Sequence, residues 1–408
     1  MRRCSHHHAV GGGARLSALH SEPPARSPAL ALSAYYFAYF AYVGAYSPYF
    51  TLYLSEIGLA AAQIGMLYAI PQVMRIVGPN AWGALADRSG APTIILRLAA
   101  LLALAAFALA YAGSSFTWLF MVLVAMHFFT SAQMPLIEAI TLNHVRDAPG
   151  GYGRIRVWGS VGFIVSVLGL GALLDIAPVS AVLHVVAAML ALTVLAAWLI
   201  PAGGPRSRAD PGNPVSAVLR RHEVRAFLLA GALNAFAHAA LYTFYSIYLA
   251  DHGYSKTTIG LMWALGVTIE VAVFQFMPQL TRRFDLRMLY FSSFVVCAVR
   301  FLIIAWCVDY WWMLVAAQLM HASTFAVYHA SAVGLVGRYF GARNQARGQA
   351  LYISLSFGVG GFAGGIVGGY LWELVGPGWT FSLSALAGAL GAVVLAWRGQ
   401  LTGPSRVQ

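Results

Sequence analysis

The sequence predicts an all-α membrane protein: twelve transmembrane helices arranged as two pseudo-symmetric six-helix bundles. Three observations predict it. Of the 408 residues, 60% are hydrophobic and only 9% are charged, with a mean hydropathy of +0.72. Apolar stretches long enough to cross a bilayer, about 20 residues each, recur twelve times. The charged residues gather in the connections, where cationic and anionic loops alternate.

A soluble domain usually carries about 25% charged residues. Single cores also stop growing beyond roughly 250–300 residues. An ordinary soluble enzyme, a nucleic-acid binder and a disordered chain are therefore excluded. The net charge of +12 is almost all arginine, with Lys256 as the single lysine. Its placement points to a membrane rather than to nucleic acid.

Residues 1–30 contain Arg2, Arg3, Arg15, Arg26 and a His6–His8 run among Gly and Pro, and read as a disordered basic tail. No apolar run follows the early arginines as a signal peptide would require. The spans are placed near 31–54, 63–84, 93–112, 116–140, 154–174, 178–200, 224–250, 256–278, 287–307, 311–336, 347–371 and 377–397. Alternate connections carry Arg88; Arg146 and Arg154; Arg206, Arg208, Arg220 and Arg221; Arg282, Arg283 and Arg287; Arg338 and Arg343. The others carry Glu56, Asp175, Asp251, Asp309 and Glu373. By the positive-inside rule both termini are cytoplasmic.

The connection 201–223, rich in Pro, Gly and Arg, reads as a cytoplasmic linker between an N-terminal bundle (31–200) and a C-terminal bundle (224–398). A short cytoplasmic tail (399–408) follows. A repeat supports the division. Shifted by 195 residues, Tyr53-Leu54 falls on Tyr248-Leu249, Glu56 on Asp251, Gly58 on Gly253, and Ile64-Gly65 on Ile259-Gly260. Parallel repeats of this kind place a site at midplane between the bundles. Cys297 and Cys307 lie in one apolar segment, roughly 15 Å apart on a helix, so no disulfide joins them.

The stretch Gly83-Ala84-Leu85-Ala86-Asp87-Arg88-Ser89-Gly90 resembles the G-x-x-x-D-[RK]-x-G signature of the major facilitator superfamily. Its counterpart, Pro278 to Arg287, is degenerate. The run from Gly151 through Arg154, Arg156 and Gly159 to Phe163 resembles the span-5 motif of the phenylpropionate permease family, the nucleoside–proton symporters and lactose permease. The resemblance covers about 33–397. It implies the major facilitator fold, a gating role for Gly83, Asp87 and Arg88, and import of aromatic acids with protons.

Ionisable groups inside spans are costly, at least ~2.5–3.5 kcal/mol each at the centre, so each one present is a candidate. They are Arg75, Glu138, Arg156, Glu270, Arg300 and the histidines 127, 238, 321 and 329. Arg75 lies about twelve residues into span 2, roughly 18 Å along a helix. The 195-residue shift maps it onto Glu270. The two can neutralise each other across a cavity, divide substrate and proton between them, or form a structural pair within a bundle. Glu270 is the one carboxylate well inside the C-half spans. A carboxylate whose surroundings alternate between apolar and cationic can carry a proton, so Glu270 is the proton-carrier candidate.

By resemblance to lactose permease, Arg300 and His321 match the span-9 arginine and span-10 histidine of its proton-coupling network. Thr324 stands where that network has an acid, and Gln318 where it has a lysine. Glu138 and Arg156 match its galactoside-binding pair, and Phe163 its stacking aromatic. In this chain the pair binds a polar substrate or bridges spans 4 and 5.

Span 1 carries tyrosines at 35, 39, 42, 46, 49 and 53, a 4-3-4-3-4 spacing that draws one helical stripe. Span 7 answers with Asn234, His238, Tyr242, Tyr245 and Tyr248. Spans 1 and 7 line the cavity in this superfamily by resemblance, so Tyr39, Tyr42, Tyr46, Asn234, His238, Tyr242 and Tyr245 are substrate candidates. Phenol walls suit an aromatic ligand; interfacial belts account for Tyr35, Tyr53 and Tyr248. Gly361 with Gly365 and Gly364 with Gly368 read as close helix packing.

The expectation is a monomeric secondary transporter of a bacterial inner membrane. It takes up a small aromatic carboxylate with protons by alternating access, with Arg75 or Arg156 holding the carboxylate. A nucleoside or sugar proton symporter and a drug exporter are the alternatives. No phosphate-cradling loop, metal spacing or cofactor motif is present. The short arginine-bearing loops offer no gathering of catalytic residues for an enzyme.

Overall fold

The computed structural model describes residues 28–145, 151–201 and 216–397, and these are helical almost throughout. The N-terminal half contains α1 (Pro28–Glu56), α2 (Ala61–Ser89), α3 (Pro92–Ala112), α4 (Phe116–His144), α5 (Gly151–Leu174) and α6 (Ala181–Leu199). The C-terminal half contains α7 (His222–Asp251), α8 (Lys256–Arg283), α9 (Leu286–Trp306), α10 (Trp311–Gly341), α11 (Arg343–Leu374) and α12 (Pro377–Trp397). Ten of these are long and apolar enough to cross a membrane. The exceptions, α1 and α2, have 29 residues each. The tyrosines of α1, and Gln72, Arg75 and two prolines in α2, lower their hydropathy rather than their length. The histidine run, Cys4, Arg146, Arg206 and Arg208 fall outside the described residues.

Local chemistry sets the helix ends. Ser115 and Ser255 accept from the amides of Trp118 and Thr258, and Asp285 from Arg287, as N-caps do. Arg97 donates to the Ile200 carbonyl at 2.6 Å, where α6 leaves carbonyls unpaired. The repeat is visible at the ends of α1 and α7. Gly58 and Gly253 have φ of 85° and 79°, a region open to glycine. The amides of Gly58 and Leu59 donate to Ser55 and Leu54; those of Gly253 and Tyr254 donate to Ala250 and Leu249. All four pairs correspond under the 195-residue shift.

The halves are also built alike. α1 packs on α5 and α6, α3 on α4 and α6, and α2 on α4; α7 packs on α11 and α12, α9 on α10 and α12, and α8 on α10. Adding six to each label turns one set into the other. Between halves, α2 meets α11, α5 meets α8 and α1 meets α7. Glycine makes the first of these possible: a Cβ on Gly365 would press on Ala69 and Gly65, and one on Gly369 on Ala61 and Ala62. The opposite face of α11 places Gly360 and Gly364 on the carbonyls of Ala232 and Phe236 in α7. Close packing is thus the use of this glycine-rich helix.

The core shows where the halves join and where they part. Toward the loops bearing Glu56, Asp175, Asp251, Asp309 and Glu373, one apolar cluster includes residues of both halves, among them Phe50, Leu67 and Leu170 with Phe244, Trp263 and Phe301. Toward the arginine-rich loops no cluster is shared. One is wholly N-terminal, with Tyr36, Leu96 and Ile137; a large one with Phe227, Tyr290 and Tyr339 and a small one with Met277 and Leu289 are wholly C-terminal. The halves therefore meet at the arginine-poor face and keep separate cores at the arginine-rich face.

Candidate functional site

Arg300 of α9 is fully buried. A buried guanidinium is tolerable only when its donors are met. Its Nε donates to the Ala317 carbonyl at 2.8 Å, Nη1 to Thr324 Oγ1 at 3.3 Å and Nη2 to Gln318 Oε1 at 3.4 Å. Thr324 and Gln318 are the two positions where this chain departs from the lactose permease pattern. Here they solvate the arginine without charge. His238 of α7 completes the ring of partners, with Nε2 3.5 Å from Nη1 and 3.3 Å from Thr324 Oγ1. Its Nδ1 lies 2.9 Å from the Asn234 carbonyl. A carbonyl only accepts, so Nδ1 carries the proton and Nε2 is the acceptor of a neutral ring.

His321 sits one helical turn before Thr324, at the edge of the π-helical turn Ser323–Val327. Its ring lies 6.5 Å from that of His238, and its Nε2 is 4.0 Å from the Glu270 carboxylate of α8. Glu270, Arg300 and His321 thus fall into one polar cluster with His238. The backbone distortion follows the histidine directly, a placement common at functional sites.

The first four tyrosines of the span-1 stripe form a ladder of rings that continues onto Phe50. Tyr35 stacks on Tyr39, and successive centroid distances of 6.0, 5.8 and 4.9 Å link Tyr39, Tyr42, Tyr46 and Phe50. Tyr39 is half-buried, while Tyr42 and Tyr46 are only 3% and 5% exposed. Tyr46 stacks on Tyr68, and its hydroxyl lies 3.0 Å from His127 Nε2 of α4. On the other half, Tyr242 is half-buried and stacks on Trp263 of α8 at 5.9 Å; Tyr245 meets the same indole edge-on and is fully buried. Trp263 thus joins the candidates drawn from the sequence, among which His127 already stood. Trp263 lies seven residues before Glu270, on one face of α8.

Arg75 is exposed despite its depth in α2, and its guanidinium lies over the Phe357 ring of α11 at 5.4 Å. Tyr39 and Tyr242, one from each half, lie near it. No carboxylate among the described residues is within ion-pair distance of it. The expected direct neutralisation by Glu270 is therefore not made in this conformer. Glu270 turns to His321 instead.

Glu138 and Arg156 are not in ion-pair contact either. Tyr152 donates to Glu138 at 3.4 Å, and Arg156 lies 4.2 Å from the Phe40 ring centroid and 5.6 Å from that of Tyr36. Both remain half-buried, and their charges still interact. Phe163 is buried, its backbone against Gly44 of α1. Gly83 and Arg88 lie in the last turns of α2, and Gly83 has open space where a Cβ would stand. The Asp87 side chain lies outside the described residues.

The MFS_1 like family model matches residues 29–383. The chain is 32% identical over 364 residues to the Probable 3-phenylpropionic acid transporter of Escherichia coli (strain K12), covering 86% of this chain and 93% of that protein. It is 30% identical over 383 residues to the maltose permease of Geobacillus stearothermophilus, covering 91% and 95%. A mutant structure of nucleoside transporter NupG superimposes with a TM-score of 0.80 at 19% identity, over 92% of this chain and 99% of that one. Helix order, repeat packing and these likenesses agree. The chain belongs to the MFS_1 like family, and is a multi-pass membrane transporter of the major facilitator superfamily, not an enzyme.

Proposed function

We propose that this transporter imports a small aromatic carboxylate together with protons, by alternating access, as a monomer in a bacterial inner membrane with its arginine-rich face cytoplasmic. The observation that carries the reading is Arg75. It is a guanidinium deep between the halves, exposed, with no carboxylate partner among the described residues and with aromatic side chains of both halves around it. A charge so placed calls for an anion, and a planar fork pairs best with a carboxylate. Tyr39, Tyr42, Tyr242 and Trp263 supply ring faces for the rest of the ligand. The likeness to a phenylpropionic acid transporter agrees with that chemistry.

Glu270 and His321 serve as the proton-carrying pair, with Arg300 and His238 as their fixed cationic and neutral surroundings. Asn234 and Tyr245 shape the C-half wall. Glu138 and Arg156 form the rim of the site toward the arginine-rich face. Gly83, Asp87 and Arg88 close that face during the cycle.

Counterflow in proteoliposomes tests the reading. A panel of aryl-substituted short-chain acids, nucleosides and disaccharides is assayed, and the best ligand is then driven by an imposed proton gradient. Uphill uptake of an aromatic acid supports the proposal. Counterflow restricted to nucleosides or sugars, or no response to the gradient, overturns it. Cysteine labelling with a membrane-impermeant reagent should reach positions near 57 and 252 from outside, and positions near 210 and 342 only from the cytoplasm.

A further inference from the structure

The amides of Lys256, Thr257 and Thr258 at the start of helix α8 precede its first i→i−4 bond, from the Ile259 amide to the Ser255 carbonyl, and so have no partner within the helix. The Ser255 hydroxyl takes the Thr258 amide. The other two are taken by the opposite half of the protein. Asp175, just past the end of α5, accepts from the Lys256 amide at 2.7 Å through Oδ1 and from the Thr257 amide at 3.0 Å through Oδ2. Hydrogen bonds from Thr257, side chain first, hold the Asp175 carboxyl below the usual aspartate range.

The same construction occurs at the other joint with the halves exchanged. Helix α2 begins after Ala60, which offers no side-chain cap. Its Ala62 amide donates at 3.1 Å to Glu373, in the last turn of α11. Ala62 and Thr257 are equivalent under the 195-residue shift, and α5 and α11 are equivalent helices. Each half thus sends a carboxylate from the end of its fifth helix to the start of the other half's second helix. Beneath each cap the helices touch at a repeat-related glycine, Gly65 against Gly365 and Gly369, and Gly260 against the Val167 carbonyl. Tyr49 of α1 adds its hydroxyl to the second joint, 2.8 Å from the Val167 carbonyl and 3.1 Å from that of Lys256.

We infer that Asp175 and Glu373 are a paired latch that holds the arginine-poor face shut, each carboxylate capping a helix of the opposite half. The halves rock as rigid bodies in alternating access, so opening that face pulls both carboxylates off their helix starts together. Three backbone amides and two anions then pass to water. The latch is reversible because water replaces each bond, and it closes in one register because an N-terminus accepts an anion over its first turn alone. The inference rests on transport by alternating access and not on the identity of the substrate or its coupling ion.

The test uses the full chain in nanodiscs without substrate, with nitroxides at positions 60 and 375 reporting the α2–α11 separation by pulsed electron resonance. Asp175→Asn, at the joint that carries no label, should raise the population of the long distance by about two- to fivefold, the worth of one charge at a helix N-terminus. Glu373→Gln should do the same, and the double variant should multiply the two effects. Asp175→Glu, which keeps the anion, should stay near the parent distribution. Unchanged distances in both single variants, or a lowered melting temperature without redistribution, would overturn the latch. That failure would leave the substrate assignment untouched, since no substrate is present in the measurement.

Discussion

The Glu270 carboxylate stands 4.0 Å from His321 Nε2, and on the far side of that ring Nδ1 is buried with no hydrogen-bond partner. The carboxylate reaches across from α8 to α10 and is itself mostly buried. A proton on either group makes the contact favourable; with none, a buried anion faces a neutral ring. The pair therefore has a reason to hold one proton and to release it when its surroundings change.

Glu270→Gln removes that proton site while keeping size and a hydrogen-bonding tip. Uphill accumulation under a proton gradient should fall to passive equilibration, while counterflow of the same substrate persists, because exchange moves no net proton. Retained accumulation in this variant would take Glu270 out of coupling.

Much of this arrangement is legible in the sequence, and the reasons are specific. The repeat can be read because Gly58 and Gly253 must both adopt positive φ at the end of a helix, which marks the same joint twice. The Arg300 cluster can be read because Thr324 lies three residues from His321 and Gln318 three before it, so helical periodicity puts all three on one face. Position along a helix can be counted in residues, and the count puts Arg75 and Glu270 at equivalent places of the two repeats. Counting gives no rotation about the helix axis and no distance between bundles. Arg75 therefore meets Phe357, Glu270 meets His321, and Arg156 lies on Phe40 rather than against Glu138. The caps made by Asp175 and Glu373 were legible only as loop charges, because an anion's partner in a distant half leaves no mark in local spacing.

Glycine at 364 is required by contact rather than by backbone angle. A Cβ there would overlap the Phe236 carbonyl and Ala239. Gly364→Val should destabilise the folded protein by about 1–3 kcal/mol, as overpacking does, and a melting curve in detergent measures it. A parent-like melting temperature would mean that α11 does not sit this close to α7.

The α2 signature separates gating from packing. Gly83 has open space around its would-be Cβ, and alanine in a helix interior is better than glycine by about 0.5–1 kcal/mol. Gly83→Ala should leave melting unchanged or raise it, yet slow transport if close approach at this point is needed when the arginine-rich face shuts. Asp87→Asn should slow turnover more than it weakens binding. Parent-like rates in both variants would reduce Gly83, Asp87 and Arg88 to ordinary loop residues.

The central claim is that Arg75 holds a carboxylate, and the most direct measurement compares an aromatic acid with its own amide. Binding of each is measured by calorimetry on the parent protein and on Arg75→Lys. The account predicts that the acid binds the parent, that the amide binds at least about tenfold more weakly, and that Arg75→Lys costs the acid about ten- to a hundredfold, since an ammonium cannot reproduce two parallel charge-assisted bonds. Equal binding of acid and amide by the parent protein, or an acid affinity that survives Arg75→Lys, would contradict it.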